Sequence, residues 1–362
     1  MPTIWEKSDQ MVSLLQDEVQ QNDNPTVDLR DYIRTTMWDI FGLVVLGHDF
    51  QTLEKPNTGA KARFSGILRS LNGPAIKWGY FIINYIDIRP LLVIFSPLLM
   101  KSPAGKALAQ IRNTIRRAID DKESRSHKKP LEEDHLGIDI TAVSMTSGIF
   151  PTSELVDNGM LFLTAGPNST GTAVEWAIYE LGRHPEMQTR LREEITQACS
   201  QGGGLLRSVD VQNLSYLSAV VNETIRCYPF VPLSPRVAER DTTLLGERIP
   251  QGTVVLTVVE AFNRDESLWG EDADAFRPER WLGEGREGSG GAVSNYAMLS
   301  FGAGPGACIG QGYARVMVAV MVASLVSRFD IELVNAETAG KLRAAPFKRS
   351  EEGMLVRLKV LE

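Results

Sequence analysis

Cysteine is scarce in this 362-residue chain, and the three present, Cys199, Cys227 and Cys308, share no close spacing. That excludes a disulfide-stapled secreted scaffold and a paired-cysteine zinc site. Cys199 and Cys227 read as packing residues. Basic charge is not in excess either: 38 Lys and Arg stand against 45 Asp and Glu, for a formal charge of −7. Nucleic acid is therefore not expected as a partner. Uninterrupted apolar runs of bilayer length are also lacking. The strongly apolar stretch Trp78 to Met100 is split by Asp87 and Arg89 into pieces too short to span. On composition it reads as buried core helices. The opening Met1-Pro2-Thr3-Ile4-Trp5-Glu6 has no charged leader followed by an apolar core, so neither a signal peptide nor an anchor is expected there. Gln201 to Leu206, although glycine-rich, lacks the lysine of a phosphate loop and reads as a solvent loop.

What is present is helical periodicity. Apolar spacing predicts helices over Ile4 to Gln20, Leu29 to Leu46, Ala104 to Lys122, Ser153 to Leu181, Glu186 to Ala198, Ser215 to Tyr228 and Gly310 to Ser327. Short strands are predicted at Thr243 to Leu245, Thr253 to Val258 and Leu355 to Val360, and a charged loop at Ser124 to Asp134. The long segment Met160 to Leu181 carries an expected interruption at Ala165-Gly166-Pro167-Asn168-Ser169-Thr170, because proline removes a helix donor.

The sharpest chemical feature is Phe301-Gly302-Ala303-Gly304-Pro305-Gly306-Ala307-Cys308-Ile309-Gly310, a glycine-rich loop that delivers one thiol to the start of a long apolar helix. Glycines let backbone N–H groups close around sulfur, and a helix N-terminus and a bound metal both favour a thiolate. The same glycines satisfy a loose dinucleotide-binding pattern. The strand before them and the βα repeats after them are missing, so that reading fails. A buried structural cysteine in a turn is the plainer alternative.

Phe301, Gly304, Cys308 and Gly310 resemble the haem-binding signature of cytochromes P450. Three further segments repeat that resemblance in the expected order. Glu223-Thr224-Ile225-Arg226 matches the E-x-x-R motif, which puts carboxylate and guanidinium on one helical face. Read alone it is an ordinary surface pair. The resemblance makes it a buried clamp with Arg280 of Phe276-Arg277-Pro278-Glu279-Arg280-Trp281. Arg236, in Val231-Pro232-Leu233-Ser234-Pro235-Arg236, resembles the residue that binds a haem propionate, and a solvated arginine is the alternative. Val231, Leu233 and Ser234 would then face the substrate. The interruption at Ala165 to Thr170 resembles the distal oxygen-binding kink, with Ala165 and Gly166 at the pocket. Asn168 stands where the family has an acid, and Ser169 precedes Thr170 in place of a threonine. Asparagine can orient a water but cannot release a proton, so three outcomes stay open: delivery by Ser169, Thr170 and water, slow turnover, or a reaction other than ordinary oxygen insertion. A helix kinked only for packing is the competing reading. Through the resemblance alone, Trp78 to Met100 would form a lid above the substrate.

The resemblance implies a mainly α fold with small β-sheets, a cytochrome P450 fold that is N-terminally truncated, with residues 1–362 as one domain. Asp28 to Phe50 aligns with a mid-chain helix of fungal members, so the anchor, first sheet and early helices are expected to be absent and the pocket exposed. The implied function is a haem-thiolate monooxygenase of fungal secondary metabolism that oxidises an apolar small molecule such as a terpenoid or polyketide. Haem b would be held by Cys308, with Phe301, Gly302 and Gly310 around it. O2 and electrons from an NADPH-dependent flavoprotein reductase complete the reaction. A monomer inside the cell is expected, with the endoplasmic reticulum membrane as the place of full-length relatives. The competing class is a truncated, non-catalytic remnant that binds haem poorly or not at all.

Overall fold

Asp28 accepts the Arg30 N–H at 3.1 Å and Gly47 closes the other end at φ +60, so the apolar run between them folds as a helix with defined ends. This is α2, Leu29–Leu46, as its periodicity predicts. The computed structural model describes residues 2–21, 26–53, 103–126, 139–201, 206, 210–334 and 353–361. Around α2 stand α1 (Pro2–Gln20), α3 (Pro103–Ser126), α4 (Ile140–Thr146) and α5 (Thr152–Arg183). The chain continues through α6 (Pro185–Gln201), α7 (Ser215–Cys227), α8 (Val259–Asn263), α9 (Glu266–Trp269) and α10 (Gln311–Val326).

The long helix α5 is the axis of the fold and packs against α2, α3, α7 and α10. Its buried Glu175 faces Arg30 and Arg34 of α2 at 3.4 and 3.5 Å. On the same interface Gly166 lies against the Phe41 ring of α2, where an added Cβ would collide with the aromatic carbons. α10 is buried without a break from Met317 to Val326, which is why its sequence is apolar on every face. The main core joins α1, α2, α5, α6, α7 and α10. A second cluster lies between α2, α3 and the first half of α5, and a third surrounds Trp269 and Trp281.

Among the described residues, three small antiparallel sheets complete the architecture. β1 (Thr26–Asp28), β7 (Leu355–Val360) and β6 (Phe329–Leu333) pair in the order β1-β7-β6, with Val27 opposite Val356 and Ile331 opposite Leu358. β3 (Thr242–Leu244) pairs with β4 (Glu247–Ile249). β2 (Leu233–Val237) pairs with β5 (Val254–Val258) and sets Leu233 opposite Val258 and Val237 opposite Val254. Leu233, Val237, Val254, Leu256 and Val258 share one face of this ribbon by strand alternation, and all are exposed.

The fold is mainly α with small sheets, as expected, and two local predictions are corrected. α5 runs as continuous helix through Ala165 to Thr170, with Pro167 buried inside it, so the expected interruption is absent. Tertiary packing on both flanks outweighs the missing proline donor. Ser124 to Ser126 also continue α3 rather than opening a loop, and the rest of the charged segment to Asp134 lies outside the described residues. Trp78 to Met100 lies outside them as well, as do residues 202–205 of the glycine-rich stretch. Among the described residues, no helix is long and apolar enough to cross a membrane.

Candidate functional site

Glu223 and Arg226 on α7 are both fully buried, and neither is an ordinary surface residue. Arg226 donates to Glu223 twice, from Nη2 to Oε1 at 2.7 Å and from Nε to Oε2 at 2.8 Å. Arg280 Nε reaches Oε1 at 2.9 Å, and the Arg277 N–H reaches the same oxygen at 2.8 Å. Trp281 Nε1 donates to Oε2 at 2.9 Å. Burial alone pushes the Glu223 carboxyl up. The bonds from Arg226 and the charges of Arg226 and Arg280 outweigh it and hold the group below its usual range. The remaining Arg226 donors bond the carbonyls of Asn263, Ala273 and Ala275. Two guanidiniums and one carboxylate, each with its donors or acceptors occupied, thus tie α7 to the segment before Trp281.

Cys308 lies on the loop that leads into α10. The Phe301 carbonyl accepts the Cys308 N–H at 2.8 Å, and the Leu299 carbonyl accepts the Gly302 N–H at 2.8 Å. Gly302 and Gly304 take φ of +72° and +71°, where any side chain would strain the turn. Cβ atoms built on Gly304 or Gly306 meet nothing within 4 Å, so the backbone stays open on that side. At Gly310 an added Cβ would come 3.9 Å from Cys308 Sγ. Phe301 packs against the main core, with the Arg315 guanidinium 4.8 Å from its ring centroid. The thiol itself is free and exposed.

The other sequence-derived residues divide between α5 and β2. Asn168 Nδ2 donates to the Thr164 carbonyl at 3.4 Å. Ser169 Oγ donates back into its own helix, to Ala165 O at 2.9 Å and Gly166 O at 3.2 Å. Thr170 is buried, and Ala165 is exposed. Gly166 faces the Phe41 ring, which corrects its assignment to the pocket: its missing side chain makes room for α2. On β2, Leu233 and Ser234 point to opposite faces by alternation, so they do not line one pocket together. Ser234 shares its face with Arg236, whose Nη1 donates to Ser234 Oγ at 2.9 Å and to Pro235 O at 3.0 Å. Among the described residues Arg236 has no carboxylate partner. Val231 is partly buried just before the strand.

The sequence profile of the family described as Cytochrome P450 matches residues 1–345. The chain belongs to the cytochrome P450 family. It is similar to cytochrome P450 monooxygenase FSL4 of Gibberella zeae, with 35% identity over 100% of this chain and 68% of that protein. Cytochrome P450 monooxygenase sphH of Aspergillus fumigatus is 34% identical over 99% of this chain and 66% of its own length. Cytochrome P450 monooxygenase buaD of Petromyces alliaceus is 31% identical over 100% of this chain and 68% of its own. This chain thus spans about two thirds of the length of these relatives.

Members of the P450 family are haem-thiolate oxidoreductases, with haem b as cofactor. The residues present suit that group. A single exposed thiol supplies one soft donor, the glycine backbone beside it is open where side chains would stand, and Arg236 carries a positive charge with no carboxylate partner among the described residues. A cleft of about 350 Å³ lined by Glu180, Arg183, His184, Tyr228, Arg264 and Asp274 is polar and does not include Cys308.

Sequence reasoning missed Trp281, Asn263 and Ser300. Trp281 adjoins Arg280 in the motif and was within reach, since a buried indole N–H needs an acceptor. Asn263 gave no periodic signal, because a buried polar residue in a short helix looks like a loop residue until its partners are known.

Proposed function

We propose that this P450 is a monooxygenase that inserts oxygen into an apolar small molecule of fungal secondary metabolism, and that residues 1–362 act as one domain. The observation that carries this reading is the Cys308 loop: one free thiol, a backbone closed by the Cys308 N–H to Phe301 carbonyl bond, and glycines that leave its outer side open. When bound, haem b supplies reductive activation of O2, with electrons from an NADPH-dependent flavoprotein reductase.

The chain's own residues bind and orient. Cys308 would hold the haem iron through its thiolate, with Phe301 fixing the loop to the core and Gly302 and Gly310 keeping its backbone close. Among the described residues Arg236 uses only Nη1, so its guanidinium would bind a propionate by a charge-assisted bond. Glu223, Arg226 and Arg280 hold the frame and touch no substrate. Ala165 on α5 and Leu233 on β2 offer apolar surface to the substrate, with Val231 beside the strand.

Proton movement is the unusual part of the site. Asn168 uses Nδ2 on its own helix and leaves Oδ1 to orient a water. The Ser169 proton rests on helix carbonyls and must rotate away before it can be passed on. The Thr170 hydroxyl and water therefore carry delivery, without an acidic side chain at this turn of α5.

The test is spectroscopic. Purified protein, supplied with haem and reduced under carbon monoxide, should show the red-shifted Soret band of a thiolate ligand, and Cys308→Ser should abolish it. A wild-type chain that takes up no haem would replace this reading with that of a non-catalytic remnant.

A further inference from the structure

Asn263 is completely buried at the end of α8, and every polar atom of its side chain is engaged. Nδ2 donates to the Arg226 carbonyl at 2.8 Å and to Ser300 Oγ at 2.7 Å. Oδ1 accepts the Leu299 N–H at 2.9 Å. The Asn263 backbone carbonyl accepts from Arg226 Nη1 at 2.7 Å. Ser300 Oγ spends its own proton on the Ile225 carbonyl at 2.6 Å, so it can only accept from Asn263. The amide therefore has one orientation. A carbonyl and a committed hydroxyl demand the NH2 on one side, and an N–H demands the oxygen on the other.

These bonds join two structures that sequence places 37 and 36 residues away from Asn263. One is the C-terminal turn of α7, with Arg226 of the buried clamp. The other is the start of the Cys308 loop, where Leu299 also accepts from Gly302 and Phe301 accepts from Cys308. We infer that Asn263 is a positioning residue that sets the Cys308 loop against the clamp, with Ser300 as its second contact. The inference rests on the reading of Cys308 as haem ligand. A one-ended attachment would let residues 299–308 shift along α7. The three side-chain bonds fix both distance and register, and with them the placement of the loop that carries the Cys308 thiol.

Asn263→Asp keeps the shape and the acceptor for Leu299 N–H but sets a carboxylate oxygen against the Arg226 carbonyl and Ser300. Asn263→Ala removes all three bonds. Ser300→Ala removes one of them and spares the bond to Leu299. Each variant is compared with haem-loaded wild type for the fraction of the carbon monoxide band that is red-shifted, and for the rate of haem transfer to apomyoglobin. Asn263→Asp and Asn263→Ala should lose much of the red-shifted fraction and release haem about tenfold faster, the change that about 1.4 kcal/mol produces. Ser300→Ala should fall between them and wild type. Variants that melt at lower temperature but keep the wild-type band and release rate would overturn the inference and leave Asn263 a packing residue. Should neither Asn263 variant fold, Ser300→Ala decides: an unchanged band and rate overturn it. A wild type without any thiolate band sinks the haem reading itself, and this inference with it.

Discussion

Trp281 Nε1 donates to Glu223 Oε2 at 2.9 Å, so the clamp carboxylate is held by an indole as well as by two arginines. Trp281→Phe keeps the ring beside Trp269 but leaves that oxygen one donor short. The expected cost is about 1–3 kcal/mol of unfolding free energy. Urea denaturation followed by circular dichroism should show a lower midpoint with the same slope, and an unchanged midpoint would count against the bond. Glu223→Gln should be worse, by about 3–5 kcal/mol, because it strands two buried guanidiniums.

Acid should loosen the same clamp. Glu223 is held below its ordinary range in the fold, so the unfolded chain binds its proton more readily than the folded one. Its contribution is therefore fully present above the ordinary glutamate pKa of about 4.3, and it is lost as pH falls towards the lowered folded value. Stability measured from pH 7 downward should decline through this window in wild type. The decline should be shallower in Glu223→Gln, and parallel curves would refute the assignment.

Gly166 and Phe41 should be energetically coupled. Gly166→Ala gains helix propensity of about 1 kcal/mol, yet its Cβ collides with the Phe41 ring. Overpacking of about 1–3 kcal/mol should win. In the Phe41→Ala background the same change should become neutral or stabilising, a non-additivity that a double-mutant cycle reads directly.

Asn168→Asp should restore a titratable group on α5. Product formed per NADPH consumed should rise about tenfold or more if proton supply limits the reaction, since general acid catalysis contributes about 10²–10⁴. Equal coupling in the variant and wild type would mean that water and Thr170 suffice.

The helices were legible where caps and periodicity agree. α2 has the bounds its sequence predicts because Asp28 and Gly47 mark both ends. The clamp was legible as a motif, although spacing alone could not say that Glu223 is buried. α5 misled because Pro167 is a local signal, whereas the contacts of Gly166 with Phe41 and of Glu175 with Arg30 and Arg34 are not. β6 carries the alternation of a half-buried strand, buried Phe329 and Ile331 against exposed Asp330 and Glu332, within a run too short to stand out from its flanks. Leu233 and Ser234 share one expected role through the resemblance, which takes no account of strand alternation. Pairing with β5 gives β2 two faces, and the two side chains separate.

That same pairing has a colloidal consequence. Leu233, Val237, Val254, Leu256 and Val258 form a greasy, water-facing ribbon. Preparations of this chain should scatter light increasingly with concentration, and Val237→Lys should suppress the effect. Handling in mild detergent, more than the strength of the core, will then decide how much well-behaved material can be recovered.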